Sequence, residues 1–513
     1  MAQESDFAIR PPRSRCCGCE APGLSRRGFL EAAGGAALLG LTWSGLRAGE
    51  PEVAAPPPRK PLAVKPIFTY GTYAHRRQTS WRPWGGVETQ PQANDEIARI
   101  NGELERLALA ADFPLTTLPL TAARAAADLP SAQDMADADA VIVYASSGPL
   151  TQAIDAALAA KKNVIVFVRH RSGPLYLWYE IISPRYLRRH SDRLAVKGVD
   201  FEDVVVDSQD ELLWRLRALC GLKNAQGARI LAIGGPGGWA QAKAPELARE
   251  RWGLDIQTVT YDELRKLIQE ARADKQAAAL ARKRADDYLQ ADGVKLETKR
   301  EFVDNCFLLD QIFRSLMHKA DARAITVNAC MGTIMPASET TACLTLTTLN
   351  DDGYMAFCES DFVIIPAGIL LDGITGRPTF LHNPCFPHGG QITLAHCTGP
   401  RKMDGKKLDP VRIVTHYESD YGAAPKVEMP KGQRLTSVLA DFEAKKWHGL
   451  ASEIIEAPFY PICRTQVEVQ YKVDDLLLAE KMHGFHWMTV YGDYLRELGY
   501  ALKKTPITWE RLG

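Results

Sequence analysis

The sequence has no excess of charge of either sign, since 62 lysine and arginine residues balance 62 aspartate and glutamate residues. A balanced chain has no net field to attract nucleic acid or an anionic membrane, so neither is predicted as a partner. After the first 50 residues no apolar run approaches the roughly 20 residues of a membrane-spanning helix. Internal repeats are also lacking, which excludes a repeat architecture.

Paired cysteine spacings are missing from most of the chain. Three of the 11 cysteines, Cys16, Cys17 and Cys19, lie in the N-terminal tract, and the other eight have apolar neighbours and no Cys-x-x-Cys spacing. These eight are predicted to be small buried hydrophobic residues. The sequence leaves one or two disulfides open.

The N-terminus carries the pattern of a twin-arginine export signal. Arg26-Arg27 precedes a small, apolar stretch over residues 32–46, which is too short to span a bilayer. We expect cleavage near Ala48 and export of the folded protein by the twin-arginine translocase, to the periplasm or the extracellular space. The mature chain would then lack the Cys16–Cys19 tract, which disfavours a metal clip there. A short buried helix behind a chance arginine pair is the alternative.

Strand and helix patterns alternate after a proline-rich segment. Apolar, β-branched runs predict strands, and longer periodic runs predict helices. The predicted strands cover residues 65–70, 140–144, 163–168 and 228–233, and the predicted helices cover residues 94–111, 150–160, 261–290 and 298–319. This alternation indicates parallel sheets with right-handed crossovers.

Two further patterns concern the segment after residue 233 and the part of the chain beyond Arg323. Residues 234–238 form a glycine cluster that lacks the Gly-x-Gly-x-x-Gly register and contains a proline, so a strand-end turn is favoured over a nucleotide site. Beyond Arg323 the pattern is β-rich with few helices, and the tail over residues 476–502 is helical with a break near Gly484. The predicted strands of this part cover residues 324–327, 344–348, 391–394, 412–415 and 465–471.

The residues with the clearest chemistry lie in this β-rich part. Glu359 and Asp361 are two apart in an apolar context, and five of the chain's 11 histidines follow. Those histidines are His382, His388, His396, His483 and His486. Carboxylates with imidazoles suit Mn²⁺, Mg²⁺ or Zn²⁺. The alternative is that the carboxylates cap turns and the histidines line loops.

The motif order in this part resembles a known family. Leu-Asn-Asp-x-Gly at 349–353, Cys-Glu-x-Asp at 358–361, Thr-Gly-x-Pro at 375–378 and His-Cys at 396–397 resemble the L-fucose isomerase and L-arabinose isomerase superfamily, in its fucose-isomerase-like branch. The resemblance covers about residues 327–399 and the tail around His486. It implies an α/β fold with two Rossmann-like parallel-sheet domains before a β-rich α+β catalytic domain.

That architecture divides the sequence into five predicted parts. They are a signal peptide over residues 1–48, a linker over 49–65, an N-terminal α/β domain over 66–222, a second α/β domain over 223–322 and a C-terminal isomerase-like domain over 323–513.

The resemblance also assigns roles to individual residues. Glu359 matches the family's first metal-binding carboxylate, which also transfers protons, and His486 matches its C-terminal metal-binding histidine. Asn383 stands where the family has a second acidic ligand, which is a departure. His396 matches a histidine that lines the site. Asp361 either orients Glu359 and the metal or holds the turn.

The implied reaction interconverts an aldose and a ketose through an enediol, with both oxygens on a divalent cation for which Mn²⁺ is the first candidate. Two groups must then take and return protons. Asn383 can offer an amide oxygen to the metal but cannot act as an acid or base. Asp361 or His382 would have to substitute for the missing acid.

Two loops are further candidates. Trp81, Arg82 and Trp84 form an aromatic and arginine loop that suits either sugar stacking or a domain interface. Related isomerases complete their sites with a neighbouring subunit, so a homo-oligomer is expected and this loop is a candidate contribution to it. Residues 169–173 follow a predicted strand end, where ligands bind in open parallel sheets, but a solvated loop is favoured.

Three hypotheses for function follow. The first is an exported, metal-dependent sugar isomerase with catalytic Glu359 and Asp361, metal ligands Glu359, Asn383 and His486, and a small sugar as its substrate. The second is a carbohydrate-binding protein of the same fold that has lost the chemistry. The third is a different metal-dependent enzyme that acts on sugar derivatives, because a fold does not fix a function.

Overall fold

The protein has a mixed α/β fold with two parallel sheets and a β-rich region that contains a closed barrel. The structure is a computed structural model and describes residues 41–47, 55–82, 85–176, 187–188, 193 and 196–513. The arginine pair and the leader cysteines lie outside the described residues. Among the described residues, no helix combines the length and the apolar character needed to cross a membrane.

The first sheet is parallel, with strand order β2-β1-β4-β5-β6, and β3 also pairs with β1. Its strands are β1 (Leu62–Thr69), β2 (Leu115–Thr117), β3 (Thr121–Ala123), β4 (Ala140–Ala145), β5 (Asn163–Val168) and β6 (Val204–Val206). Strands β4 and β5 are almost wholly buried, as apolar β-branched runs predict for a sheet covered on both faces. Both strand predictions are confirmed, whereas β1 begins at Leu62, inside the predicted linker.

Helices α2 (Gln90–Ala110), α3 (Leu150–Ala159) and α4 (Gln209–Ala225) accompany this sheet. Helix α2 begins at a capping box, in which the side chains of Thr89 and Gln92 accept hydrogen bonds from each other's backbone N–H. The predicted helix is therefore confirmed, with an earlier start.

The second sheet has the order β11-β10-β7-β8 and is parallel throughout. Its strands are β7 (Arg229–Ile233), β8 (Asp255–Val259), β10 (Ala324–Val327) and β11 (Met355–Cys358). Strands β10 and β11 follow residue 322, so this sheet extends across the predicted boundary of the C-terminal domain. Because parallel strands end at one edge, the segments after β7, β10 and β11 meet there.

Helices pack around this second sheet and extend beyond it. They are α5 (Ala244–Trp252), α6 (Tyr261–Ala273), α7 (Lys275–Gln290), α8 (Arg300–Lys319), α9 (Cys330–Ser338), α10 (Cys343–Asp351) and α11 (Ile365–Thr375). The strand predicted over residues 344–348 is wrong, because these residues lie inside α10, which is buried on every side and so shows no helical periodicity. The single helix predicted over residues 261–290 is also wrong, because Asp274 caps a new helix at Gln276 and Ala277.

A close contact joins the two parallel-sheet layers where α4 packs on α11. A Cβ atom at Gly221 would lie 2.2 Å from Cγ1 of Ile374, and one at Gly373 would lie 2.7 Å from the carbonyl oxygen of Gly221. Two glycines therefore permit the helices to approach backbone to backbone.

The barrel follows from the order β16-β19-β12-β13-β18-β17, because β16 also pairs with β17 and closes the ring. Its strands are β12 (Phe380–Pro384), β13 (Gln391–His396), β16 (Arg434–Ala440), β17 (Lys446–Glu456), β18 (Thr465–Gln470) and β19 (Trp487–Tyr491), with β20 (Thr508–Leu512) added on β17. The prediction of a helical tail is wrong in its middle, where β19 separates α12 (Asp475–Lys481) from α13 (Leu495–Leu502). A smaller sheet has the order β15-β14-β9 and comprises β9 (Val294–Leu296), β14 (Val411–His416) and β15 (Tyr421–Val427).

A short N-terminal helix, α1 (Trp43–Arg47), docks on the second parallel-sheet region. Leu41, Trp43 and Leu46 are buried in the same apolar core as α6, α7 and α8. The backbone N–H of Trp43 donates to Glu270 over 2.6 Å, and its indole N–H donates to Asp274 over 3.0 Å. The end of the predicted signal peptide thus packs as part of the folded protein.

Candidate metal centre

The backbone after β11 has an unusual conformation that places Glu359. Both Glu359 and Ser360 are in the left-handed region, with φ of 64° and 47°, where residues other than glycine are uncommon. The backbone N–H of Ser360 donates to the hydroxyl of Thr326 on β10 over 3.1 Å. That of Phe362 donates to the carbonyl of Gly237 over 3.1 Å, so neighbouring segments hold the strained turn.

This turn has a direct consequence for two adjacent side chains. Successive side chains of a regular strand point to opposite faces. Because the chain departs from strand geometry at Glu359, the side chains of Cys358 and Glu359 both line one cavity.

His486 enters from the barrel, one residue before β19, and is fully buried. Its Nδ1 lies 2.8 Å from Oδ2 of Asp361, which is also fully buried. Its Nε2 lies 3.2 Å from Oε2 of Glu359. The carboxylate of Asp361 therefore orients the imidazole so that the other ring nitrogen faces Glu359.

His396, at the end of β13, approaches Glu359 from another side. Its Nε2 lies 3.5 Å from Oε1 of Glu359, and its ring centroid is 5.8 Å from that of His486. Its Nδ1 lies 3.3 Å from the hydroxyl of Thr398, which holds the ring.

Three buried atoms at this point have no hydrogen-bond partner among the described residues. They are Oε2 of Glu359, Nε2 of His396 and Nε2 of His486. Ligand atoms of Cys358, Glu359 and His396 also lie within 4.8 Å of one another. The contacts of Glu359 with His396 and His486 are charge contacts without a hydrogen bond, which leaves the hydrogen-bonding capacity of these atoms unused, and one divalent cation would coordinate all three. The residues present therefore fit a metal ion of the class that carboxylate, imidazole and thiol ligands bind.

The charged side chains of the cluster shift the pKa values of Glu359 and His486 in opposite directions, and both shifts favour the charged forms. Burial by itself raises the pKa of Glu359, but the imidazoles of His396 and His486 outweigh it and hold that pKa well below its usual value. Burial lowers the pKa of His486, but Asp361 and Glu359 outweigh it and raise that pKa to about 9. In the absence of a cation, the cluster is thus an imidazolium held between carboxylates.

The cluster opens into a cavity of about 530 Å³. Asn383 on β12 lines this cavity, as do Glu359 and His396. Asp361 and His382 do not line it, and His382 is buried with its Nε2 2.7 Å from the hydroxyl of Thr489.

The predicted aromatic and arginine loop lies elsewhere in the chain. His75 packs edge-on against Trp81, and Arg82 lies over the ring of Trp81 and 3.5 Å from Glu88. Neither Trp81 nor Arg82 lines the cavity, and Trp84 lies outside the described residues. Within one chain, the structure does not bring this loop to the cluster.

Two contributors to the site were not predicted from the sequence. The thiol of Cys358 is one, because a strand pattern does not reveal the left-handed turn after it. Trp239, which follows the glycine cluster, is the other: it stacks on Phe485 with ring centroids 4.0 Å apart and meets His486 edge-on at 6.3 Å. The glycine cluster at residues 234–238 starts directly after β7, and Trp239, which follows it, packs behind the imidazole of His486.

We expect His486 to make the stability of the metal-free protein depend on pH. Its folded pKa of about 9 exceeds the unfolded value of 6.5, so its stabilisation is fully present below pH 6.5 and is lost as the pH rises through 9. The full loss corresponds to about 3 kcal/mol. Thermal unfolding of chelator-treated protein between about pH 6 and about pH 9.5, compared with His486→Gln, checks this. A wild-type advantage that stays constant over that range would contradict it.

Comparison of the chain with models of known protein families finds no match, and comparison with curated proteins finds none either.

Proposed function

We propose that this protein is a metal-dependent enzyme that interconverts an aldose and a ketose. The observation that carries the proposal is the convergence of His396 and His486 on the carboxylate of Glu359, at a place where Glu359 and His396 line a cavity and His486 lies buried behind them. The motif order that resembles the fucose-isomerase-like branch supports the same conclusion, as does the succession of two parallel sheets and a β-rich region.

Glu359 and His486 would hold the cation, His396 lies where it can add an imidazole nitrogen, and Asn383, which lines the same cavity, would add an amide oxygen. Mn²⁺ is the first candidate, because the resemblance to the isomerase family implies it and because carboxylate and amide oxygens suit it. When bound, the cation acts as a Lewis acid that polarises the carbonyl oxygen of the sugar.

Glu359 also has the proton-transfer role in this proposal. Its carboxylate is ionised and lines the cavity, so it can remove a proton from one carbon of the sugar and return it to the adjacent carbon, while the proton of the adjacent hydroxyl passes to the carbonyl oxygen by way of the enediol. Asp361 and His382 do not line the cavity. Asp361 is therefore a positioning residue that orients His486, and Glu359 carries the proton on one face of the substrate.

The cellular context is part of the proposal. Arg26-Arg27 and the apolar stretch after it support export by the twin-arginine translocase, to the periplasm or the extracellular space. A homo-oligomer would allow the loop around Trp81 and Arg82, which is remote from the cavity within its own chain, to contribute to a neighbouring site.

One observation favours a second candidate, a carbohydrate-binding protein without turnover. Asn383 lines the cavity at the position where the family resemblance places an acidic ligand, and an amide cannot exchange protons near neutral pH. Such a protein would still hold a sugar beside the cluster.

One experiment distinguishes the isomerase from the carbohydrate-binding protein. Chelator-treated protein is titrated with Mn²⁺ by calorimetry and then incubated with a panel of aldoses while ketose is measured. The enzyme is expected to bind one Mn²⁺ per chain at the cluster and to form a ketose that disappears with chelator and returns with Mn²⁺. Sugar-induced thermal stabilisation without ketose would select the binding protein. The absence of both Mn²⁺ binding and turnover would overturn both.

A further inference from the structure

The wall of the cavity is rich in sulfur. Six cysteines and two methionines line it, and no lysine, arginine, serine, threonine or glutamine does so among the described residues. The sulfur-bearing residues are Cys330, Met331, Cys343, Cys358, Cys385, Cys397, Cys463 and Met482. Thiols and thioethers are polarisable and form weak hydrogen bonds. Most of this wall therefore presents an apolar surface to a ligand.

Three of these cysteines form a contiguous patch. Cys343 and Cys397 are buried with Ala424 in a small apolar cluster, and Cys463 packs against it. All three are free thiols. The thiol of Cys397 is hydrogen-bonded to those of Cys343 and Cys463, and thiols are weak donors and acceptors, so these three side chains offer a ligand no strong hydrogen bond.

Aromatic and aliphatic side chains continue the apolar wall. Phe485, Trp487, Ile462 and Pro384 line the cavity together with the two methionines. Trp487 is almost wholly buried, and stacking on Trp239 holds Phe485. Sulfur and aromatic groups attract each other favourably, so such a wall suits an aryl or alkyl group.

The polar side chains of the cavity are few. Glu359 and His396 belong to the metal cluster, and Tyr417 and Glu418 are exposed to solvent. Asn328, Asn383 and His416 are the other polar side chains that line it. A sugar with a hydroxyl on every carbon would leave several hydroxyls against sulfur or carbon. Each buried hydroxyl that exchanges water for no partner weakens binding by roughly tenfold or more.

We infer that the substrate has two unlike ends, a hydroxy-carbonyl head and an apolar tail. The head presents two adjacent oxygens to the cluster, and this part of the inference rests on the proposed function. The tail is an aryl or branched alkyl group that fills the sulfur-lined part of the cavity. The chemical class is thus an aldose, or its ketose, that lacks several of the usual hydroxyls and carries an apolar group at the end remote from the carbonyl.

A matched pair of ligands tests the tail separately from the head. Acetohydroxamate and benzohydroxamate present the same two oxygens to a cation and differ in a methyl or a phenyl group. Calorimetric titration of the Mn²⁺-loaded full chain should show that benzohydroxamate binds at least about tenfold more tightly, because the phenyl ring buries more apolar surface.

Variants show whether the preference arises in this cavity. Met482→Gln and Ile462→Gln place polar groups on partly exposed positions of the wall and should each lower the affinity ratio by about threefold or more. Leu477→Gln, on α12 and outside the cavity, is the control and should leave the ratio unchanged. A wild-type ratio near one, or a ratio that neither cavity variant lowers, overturns the inference while the metal site stands. Failure of Mn²⁺ itself to bind is a separate result, and it overturns the proposed function together with the inference.

Discussion

Replacing Glu359 with glutamine should lower kcat/KM for ketose formation by about 10³-fold or more. The change removes the negative charge that faces His396 and His486, and it removes the carboxylate to which the proposed function assigns the proton transfer. Mn²⁺ affinity should fall as well, by about 100-fold, because an amide oxygen is a weaker ligand for a divalent cation. Steady-state kinetics and calorimetry on the same preparation measure the two effects.

Glu418→Gln is the matched control for this prediction. Glu418 also lines the cavity, but it is exposed and lies outside the cluster. Its replacement should change kcat/KM by less than about threefold. Equal losses in the two variants, or a fully active Glu359→Gln enzyme, would show that the carboxylate at the end of β11 is not the reacting group.

Arg169→Met should destabilise the first α/β domain by about 3–5 kcal/mol. Arg169 is fully buried at the end of β5, where it bonds to Glu96 over 2.5 Å and to Glu103 over 2.7 Å. Methionine fills a similar volume but leaves the buried carboxylate of Glu96 without its main counter-charge, and the hydroxyl of Tyr176 cannot replace that charge. Urea unfolding followed by circular dichroism measures the loss.

Arg99→Met provides the comparison. Arg99 also bonds to Glu96, over 3.1 Å, but its side chain is 46% exposed. An exposed ion pair contributes little, so this variant should lose less than about 1 kcal/mol. Equal losses of the free energy of unfolding in the two arginine variants would contradict the prediction that the buried ion pairs of Arg169 stabilise the domain more than the exposed one of Arg99.

The ion pairs of Arg169 also bear on the two hypotheses for the segment over residues 169–173. A ligand-binding strand end and a solvated loop were the two hypotheses, and the structure shows that the first residue of the segment belongs to the interior. Glu96 and Glu103 come from α2, far away in sequence, and no local pattern indicates that pairing. The exposed side chains of the loop are His170 and Arg171, whose backbone N–H groups donate to Asp207.

Local patterns predicted the central strands of the parallel sheets, because these are short runs of buried, mostly β-branched residues, but they did not predict β2, β3, β6, β8 and β11. The prediction over residues 163–168 matches β5 at both ends, and that over residues 324–327 matches β10. The barrel could not be predicted, because its closure depends on the pairing of β16 with β17 and of β12 with β19. The second of these pairings joins segments about 100 residues apart, and sequence periodicity does not encode such register.

In the candidate site, too, some residues could be predicted from local motifs, whereas the role of another depends on tertiary packing. Glu359, His396 and His486 were predicted from their motifs, and the structure brings them together. The place of Asp361 behind His486 depends on tertiary packing, so the sequence left its role open.

The docked helix α1 affects how this protein should be produced and processed. A peptidase that cuts near Ala48 would carry away Trp43 and its apolar neighbours, and would uncover the helices against which they pack. Precursor and processed product would then differ in their surface as well as in their length. Recombinant expression that begins at residue 49 would yield a protein with an open groove beside Asp274, whereas expression that begins at residue 41 would keep the groove filled.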